Sequence, residues 1–498
     1  MLHQNYIGGH WIAASTGETF ESRNPANGEV VGQVARSGAA DVDTAVKAAE
    51  AAFDSWRLYP APRRAEIIFR AAETMVRRKE ELARLMTREM GKVLAETRGD
   101  VQEAIDMTYY MAGEGRRAFG VTTPSELPNK FAMAVREALG VVAAITPWNF
   151  PLAIPAWKVV PALVLGNTVV FKPSSETPIL GAALVEMLVD AGLPPGVLNL
   201  VQGSGPTAGE ALIRHPGVHL ISFTGSNEVG QHVAAEAARS GKRLSMELGG
   251  KNAIIVMDDA DLELAVEGII WSAFGTSGQR CTAASRVIAQ SGIKPRLVEA
   301  LADRTASLRL GDGLDPKTDV GPVINPSQLE KIGRAVDVAR EEGARVLVGG
   351  ETASDGQMGL GNFYRPTLLD RVTPEMRCAR EEIFGPVTAV LEVADLEEAI
   401  RVNNGVTYGL STSIYTRDVN RAFRAMRDIR TGLVYVNAGT IGAEIHLPFG
   451  GMRQTSNGHR EAGQAALDVY SEWKTIFVDY SGRLQRAQID VSEGEKAS

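Results

Sequence analysis

The stretch GVVAAITPWNFPLAIPAWKVVPALVLGNTVVFKPSSETP, residues 140–178, decides the fold. Two β-rich runs, VVAAI (141–145) and TVVF (168–171), bracket an apolar segment in which Lys158 is the only charge between Ala138 and Phe171. Pro147, Pro151, Pro155 and Pro161 interrupt it. Breaks of that density would leave backbone groups unbonded in lipid, which argues against a membrane span. The segment reads as the buried centre of a protein whose strands are joined by helices.

Downstream the same alternation continues. A helix is expected near Leu180 to Ala191, a strand at VLNLV (197–201), and a helix from Thr207 to Arg214. HLISF (219–223) and a helix from Glu228 to Arg239 follow. Strands alternating with helices of this length make βαβ units, hence a parallel sheet with right-handed crossovers and an α/β fold class. The pattern restarts after Gly249-Gly250, a hinge candidate, with NAIIVM (252–257) and a helix from Leu262 to Phe274, and runs to about Asn437.

Upstream, apolar residues at helical spacing predict a helix from Asp41 to Trp56, capped by Asp41. A longer helix from Arg63 to Met90 stops at Gly91. Val121 to Val135, with Pro124 and Pro128, reads as an extended hairpin, and Ala466 to Tyr480 reads as a late strand suited to another chain's edge. The tail, 481–498, is polar and reads as an arm or as disordered.

A chain of 498 residues suits two or three packed units. Fifty-two basic against sixty acidic side chains give a net charge of −8 with no basic block, which speaks against nucleic acid as a partner. Two cysteines, Cys281 and Cys378, exclude a disulfide framework and point to a reducing, cytoplasmic address. The first eleven residues carry no basic head with an apolar core, so no secretory signal is expected. Histidines are scattered singly, and the Asp258, Asp259, Asp261 cluster reads as helix capping, so no metal is assigned.

Cys281 lies in SGQRCTAASR (277–286), where a helix start after a Gly-containing turn would favour the thiolate; the alternative is a small buried hydrophobe. Cys378 has no comparable setting. Glu247, in MELGGKN (246–252), is placed at a strand end, where carboxylates of parallel sheets face the crevice. Asn149, in TPWNFP (146–151), either ties down a turn or points its amide at an oxyanion. Lys172 ends a buried strand, where it serves a ligand or an ion pair. Gly225 and Ser226 in FTGSNEVG (223–230) stand between a strand and a helix, an arrangement that binds phosphate. GSGPTAG (203–209) misses the dinucleotide spacing by one residue. EEIFGPV (381–387) adds Glu382 and Phe384.

Taken in order, PWNFP, FKPSSETP, FTGSNEVG, MELGGKN, GQRCTAASR, EEIFGPV and LPFGG (447–451) resemble the aldehyde dehydrogenase superfamily, from about Tyr6 to Tyr480. The resemblance implies a Rossmann-like cofactor part (1–119 and 140–249, with a return at 447–467) and a catalytic part (250–446). It adds an oligomerisation element with a C-terminal arm (120–139 and 468–498). It also implies a dimer or a homotetramer.

It further implies that the Cys281 thiolate attacks an aldehyde, with Asn149 and the Cys281 backbone N–H holding the oxyanion. Glu247 then activates water on the thioester. Relatives that acylate coenzyme A usually lack this glutamate; such an enzyme, or a non-catalytic binding protein on the same fold, is the alternative. Lys172, also carried with the catalytic set, is expected on the adenine-side ribose and Glu382 on the nicotinamide-side ribose. Trp148 and Ser226 are expected at the pyrophosphate and Phe384 at the nicotinamide. Thr146, Ser175, Gly205, Gly225 and Leu248 complete the cofactor set. Many NAD-selective members carry a glutamate where this chain has Ser175, so NADP use is expected, alone or beside NAD. Phe150, Trp157, Thr282 and Phe449 are the expected aldehyde contacts, and the loop 439–446 shapes the mouth. Arg280 and Arg286 flank the nucleophile and are each a candidate for a distal carboxylate or, equally, a member of a structural ion pair. The branch resembled acts on semialdehydes of acids such as aminoadipic, ketoglutaric or succinic semialdehyde.

Overall fold

The computed structural model describes residues 2–118 and 120–489. Two seven-stranded sheets carry the chain. The first runs in the order Arg243–Glu247, Leu220–Thr224, Val141–Ile145, Thr168–Lys172, Leu198–Leu200, Asn5–Ile7, His10–Ile12. Its first five strands are parallel and the last two antiparallel. From Val141–Ile145 the order steps one way to Thr168–Lys172 and Leu198–Leu200, then crosses to Leu220–Thr224 on the other side. That reversal opens a crevice at the strands' carboxyl ends.

The second sheet runs Arg345–Val348, Thr367–Val372, Val387–Val393, Ala284–Gln290, Asn252–Val256, Ser411–Tyr415, Leu433–Val436, with only the first strand antiparallel. Gly249 and Gly250 lie between the sheets. The α/β class read from the alternation is the class observed. The central strands are apolar on both faces because helices cover both. The helix Ala153–Val164 is buried along nearly its whole length, as the 140–178 stretch required.

Several boundaries differ from expectation. The helix nearest Asp41 begins at Ala39, and Asp41 sits in its first turn, where its carboxylate accepts from the backbone N–H of Gly38 and of Ser15. The pattern from Arg63 to Met90 is two helices, Ala61–Arg77 and Lys79–Met90, broken at Arg78. Both halves bury their stripes in one core, so the periodicity runs through the break. Gly91 ends the second half at φ 92, and a Cβ there would meet Pro322 at 2.6 Å. The segment from Ala466 opens with a helical turn, Ala466–Val469, and becomes a strand only at Ser471–Asp479. Tyr470 is anchored by its carbonyl to Asn167. Asp261 does cap the helix Leu262–Phe274, accepting from Leu264.

A three-stranded antiparallel sheet joins Ser471–Asp479 to the hairpin Val121–Pro124 and Lys130–Ala138. Ser471–Asp479 is an edge strand, with Trp473, Phe477 and Val478 exposed. In the tail, Gln485 donates to the Pro128 carbonyl; residues 490–498 lie outside the described residues. Among the described residues no helix is long and apolar enough to cross a membrane.

Candidate active site

The carboxyl edge of the first sheet faces the amino edge of the second. From the first come Thr146, Thr224, Gly225 and Glu247, each at or just past a strand end. From the second come Cys281, Glu382, Phe384 and Leu410, each just before a strand begins. Two cavities occupy the gap, and Cys281 lines both.

The larger cavity, about 260 Å³, is lined by Glu247, Phe150, Trp157, Arg280, Thr282 and Phe449, with Gly442 and Ala443 from the 439–446 loop. Trp157 and Phe449 meet edge to face at 5.1 Å. The smaller, about 140 Å³, is lined by Trp148, Asn149, Gly225, Ser226, Leu248, Glu382 and Phe384. Trp148 stands edge to face with Phe384 at 5.5 Å, and Phe384 holds a left-handed φ of 58.

The surroundings of Cys281 differ from the expected helix start. Gly275–Gly278 is a tight turn in which Thr276 and Ser277 both adopt φ 55, a costly conformation for non-glycine residues. Glu96 accepts from the Thr276 N–H at 2.8 Å, and Ser277 Oγ donates to the Gly321 carbonyl at 2.7 Å, so the turn is held from two sides. The chain then enters the strand Ala284–Gln290, not a helix. No helix dipole acts on the thiol. Burial, followed by the carboxyls of Glu247, Glu382 and Glu103, pushes it up to about 12, and the backbone N–H of Thr282 pulls the other way.

Glu247 ends its strand as expected, buried, with Oε2 accepting from Gly451 at 3.2 Å and Oε1 unpartnered. Burial and then the neighbouring Glu461 hold its carboxyl well above the usual range, while Lys158 works against them. Lys158 and Glu461 form a fully buried ion pair; Lys158 also donates to Ser222 Oγ, which bonds Tyr470. Sequence reasoning missed Glu461 and gave Lys158 no role, although its solitary charge in an apolar stretch was the signal.

The larger cavity is also lined by Glu96, Asp100 and Glu103 on the helix Leu94–Glu114. Asp100 pairs with the buried Lys92 at 2.8 Å, and Lys92 lies 3.6 Å over the Phe150 ring. Arg280 bonds Thr276 Oγ1 and Glu96, with its guanidinium near the rings of Phe150 and Trp271. Burial raises Glu103 to about 8. Arg286 is elsewhere: its guanidinium is buried against the carbonyls of Lys251, Val402 and Asn403, a structural role of the kind expected as the alternative, though with carbonyls in place of an ion pair.

The lining of the smaller cavity suits the nicotinamide end of a dinucleotide. Ser226 caps the helix Asn227–Arg239 through Val229, leaving the helix start open toward the crevice. Thr224 carries a buried hydroxyl without a partner there, and Thr146, just past its strand's end, carries another. A Cβ at Gly249 would meet Glu382 at 2.1 Å, so the backbone and that carboxylate are in close contact, and Gly250 donates to Glu382 at 2.9 Å. Lys172 lines neither cavity. It is buried at its strand's end beside Gly209, donates to the Pro173 carbonyl, and is lowered to about 8 by burial. Ser175 is half-buried in the following turn, and Gly205 begins a single wide turn, Gly205–Gly209. The next carboxylate, Glu176, is engaged by Asn325.

Residues 11–476 match the model of the Aldehyde dehydrogenase family. An alpha-ketoglutaric semialdehyde dehydrogenase of Bacillus subtilis is 44% identical over 95% of this chain and 97% of its own. An NADP(+) succinate-semialdehyde dehydrogenase of Escherichia coli is 39% identical over 95% and 97%. The crystal structure of betaine aldehyde dehydrogenase from Staphylococcus aureus in complex with NAD+ is similar at TM-score 0.95. It is 35% identical, over 97% of this chain and 95% of that one.

Proposed function

The chain belongs to the aldehyde dehydrogenase family, and from that membership we propose that it oxidises a semialdehyde of an organic acid to the dicarboxylate with NAD or NADP. One observation carries the reading: Cys281 lines both the cavity that holds Glu247 and the crevice that holds Ser226, Glu382 and Phe384.

The Cys281 sulfur attacks the carbonyl carbon, forming a C–S bond and an oxyanion. Asn149, buried beside Cys281 in the crevice, offers its amide to that oxygen together with the Cys281 N–H; removing one such donor typically costs about 10²–10³ in rate. Bound in the crevice, the oxidised nicotinamide supplies the hydride acceptor. Glu382, Phe384, Trp148 and Ser226 would hold that cofactor in the crevice, and Lys172, outside it at the end of its strand, would meet the adenine-side ribose. Glu247 then takes a proton from water, which attacks the thioester and releases the acid. Glu461 and Lys158 adjoin Glu247 and offer that proton a path away from the carboxyl.

Arg280 is the cation in the aldehyde cavity and faces the substrate's distal carboxylate. Ser175 puts no negative charge on the adenine-side ribose, so NADP is accepted. The first sheet carries the cofactor and the second the nucleophile. The edge strand Ser471–Asp479 supports assembly as a homo-oligomer, and two free thiols fit a reducing compartment.

A panel of ketoglutaric, succinic and glutaric semialdehydes and a plain aliphatic aldehyde, each with NAD and NADP, tests the reading through absorbance of the reduced cofactor. Semialdehydes should be turned over faster, with NADP accepted. Equal turnover of the aliphatic aldehyde contradicts the carboxylate site, a strong preference for NAD contradicts the Ser175 argument, and dependence on coenzyme A contradicts hydrolysis.

A further inference from the structure

Asn252 opens the strand Asn252–Val256 and is buried, 3 % exposed. Its side chain is spent on the backbone of the nucleophile loop. Nδ2 donates to the carbonyl of Cys281 at 2.7 Å and to that of Ala283 at 3.0 Å, while Oδ1 accepts from the Ser411 N–H at 3.0 Å. The ladder between this strand and Ala284–Gln290 slips at this point: Asn252 faces Ala284, but Ala253 faces Arg286. Such a slip leaves backbone groups without ladder partners. Asn252 supplies them, and Thr440 Oγ1 takes the carbonyl between, that of Thr282, at 2.7 Å. Three successive carbonyls, from Cys281 to Ala283, therefore end on fixed side-chain donors.

A peptide unit is planar, so a bond that fixes the Cys281 carbonyl also fixes the Thr282 N–H on its opposite side. That N–H is the backbone group that pulls the Cys281 thiol down. A donor on the carbonyl also polarises the N–H of the same unit. We propose that Asn252 is a positioning residue for the nucleophile: by holding the Cys281 carbonyl it aims the Thr282 N–H at the sulfur and sustains the thiolate.

Four acidic groups near the sulfur oppose its negative charge, and the cation in the same cavity, Arg280, is engaged by Glu96. Glu247 comes from the first sheet, Glu382 from the segment before Val387–Val393, Glu103 from the helix Leu94–Glu114, and Tyr435 from the strand Leu433–Val436. One backbone donor against three carboxyls and a phenol leaves the thiolate dependent on that donor's aim.

The inference rests on Cys281 as nucleophile, and the test reads thiol reactivity independently of any substrate. Iodoacetamide alkylation of the full chain is followed against pH, with mass spectrometry separating Cys281 from the buried Cys378. In Asn252→Ala, the Cys281 profile should move to higher pH by about one unit, a tenfold loss of rate at fixed pH. The value of kcat should fall in parallel, with the aldehyde KM little changed. Asn252→Ser, which keeps one short donor, should lie between that variant and the wild type. Superimposable profiles overturn the proposal, as does a slower Cys281 accompanied by faster Cys378, which would report general loosening. If Asn252→Ala does not fold, Asn252→Ser decides alone: a Cys281 profile moved to higher pH with Cys378 unchanged supports the proposal, and a wild-type profile overturns it. A wild-type Cys281 no more reactive than Cys378 would instead contradict the nucleophile assignment.

Discussion

The two seven-stranded sheets are alike in size and mostly parallel, yet they contribute to the gap between them from opposite ends. The first gives its carboxyl edge, where Thr146, Thr224, Gly225 and Glu247 follow a reversal of strand order, the usual place for a ligand in an open α/β sheet. The second gives its amino edge, where Cys281, Glu382 and Phe384 precede their strands. An amino edge has no helix starts aimed at the ligand, so its reactive groups depend on side-chain props. Glu96 and Gly321 hold the 275–278 turn, and Asn252 and Thr440 hold the carbonyls beyond it. The first sheet's contribution is set by topology; the second sheet's is set by individual hydrogen bonds.

The largest expected effect falls on the second sheet. Cys281→Ser should abolish cofactor reduction, while Cys378→Ser, in an apolar cluster remote from both cavities, should leave it intact; steady-state absorbance assays check both. Equal losses would erase the distinction between the two thiols.

Next is the group behind the first sheet's carboxylate. Glu247 must lose its proton to act as a base, and its carboxyl is held well above the usual range, so hydrolysis should accelerate as pH rises. Lys158 pulls that carboxyl down. Lys158→Met should therefore shift the pH–rate curve to higher pH. It should also lower the melting temperature, since breaking a buried ion pair by removing one partner costs about 3–5 kcal/mol. A profile that does not move would disconnect Lys158 from the base.

The two arginines sharpen the comparison further. Arg280→Ala should raise KM for semialdehydes about tenfold or more, a loss of the size of one charged hydrogen bond, and leave the aliphatic aldehyde unchanged. Arg286→Ala should leave KM alone and lower the melting temperature, because it strips donors from buried carbonyls. The reverse pattern would mean that the wrong arginine has been placed at the substrate.

What the sequence made legible follows the same division. The alternation around 141–145 and 168–171 revealed the first sheet, and the end of its last strand revealed Glu247, because topology leaves a periodic trace. The second sheet's props did not show. Glu96 reaches Thr276 across 180 positions, and on the first sheet's side Lys158 likewise reaches Glu461 across 303, separations that no local pattern encodes. The small residues of GTSGQRC suggested a helix start; they form a left-handed turn instead, and the thiol is raised by its surroundings rather than lowered. The break at Arg78 escaped notice because one apolar stripe serves both helices.

The central claim is that Cys281 carries the acyl group and Glu247 releases it. Glu247→Gln, given a semialdehyde and cofactor and quenched within one turnover, isolates that step. The account predicts a burst of reduced cofactor, steady turnover lower by about 10²–10⁴, and the acyl mass on the peptide containing Cys281. Reduced cofactor with no adduct on Cys281, or an adduct on Cys378, would contradict it.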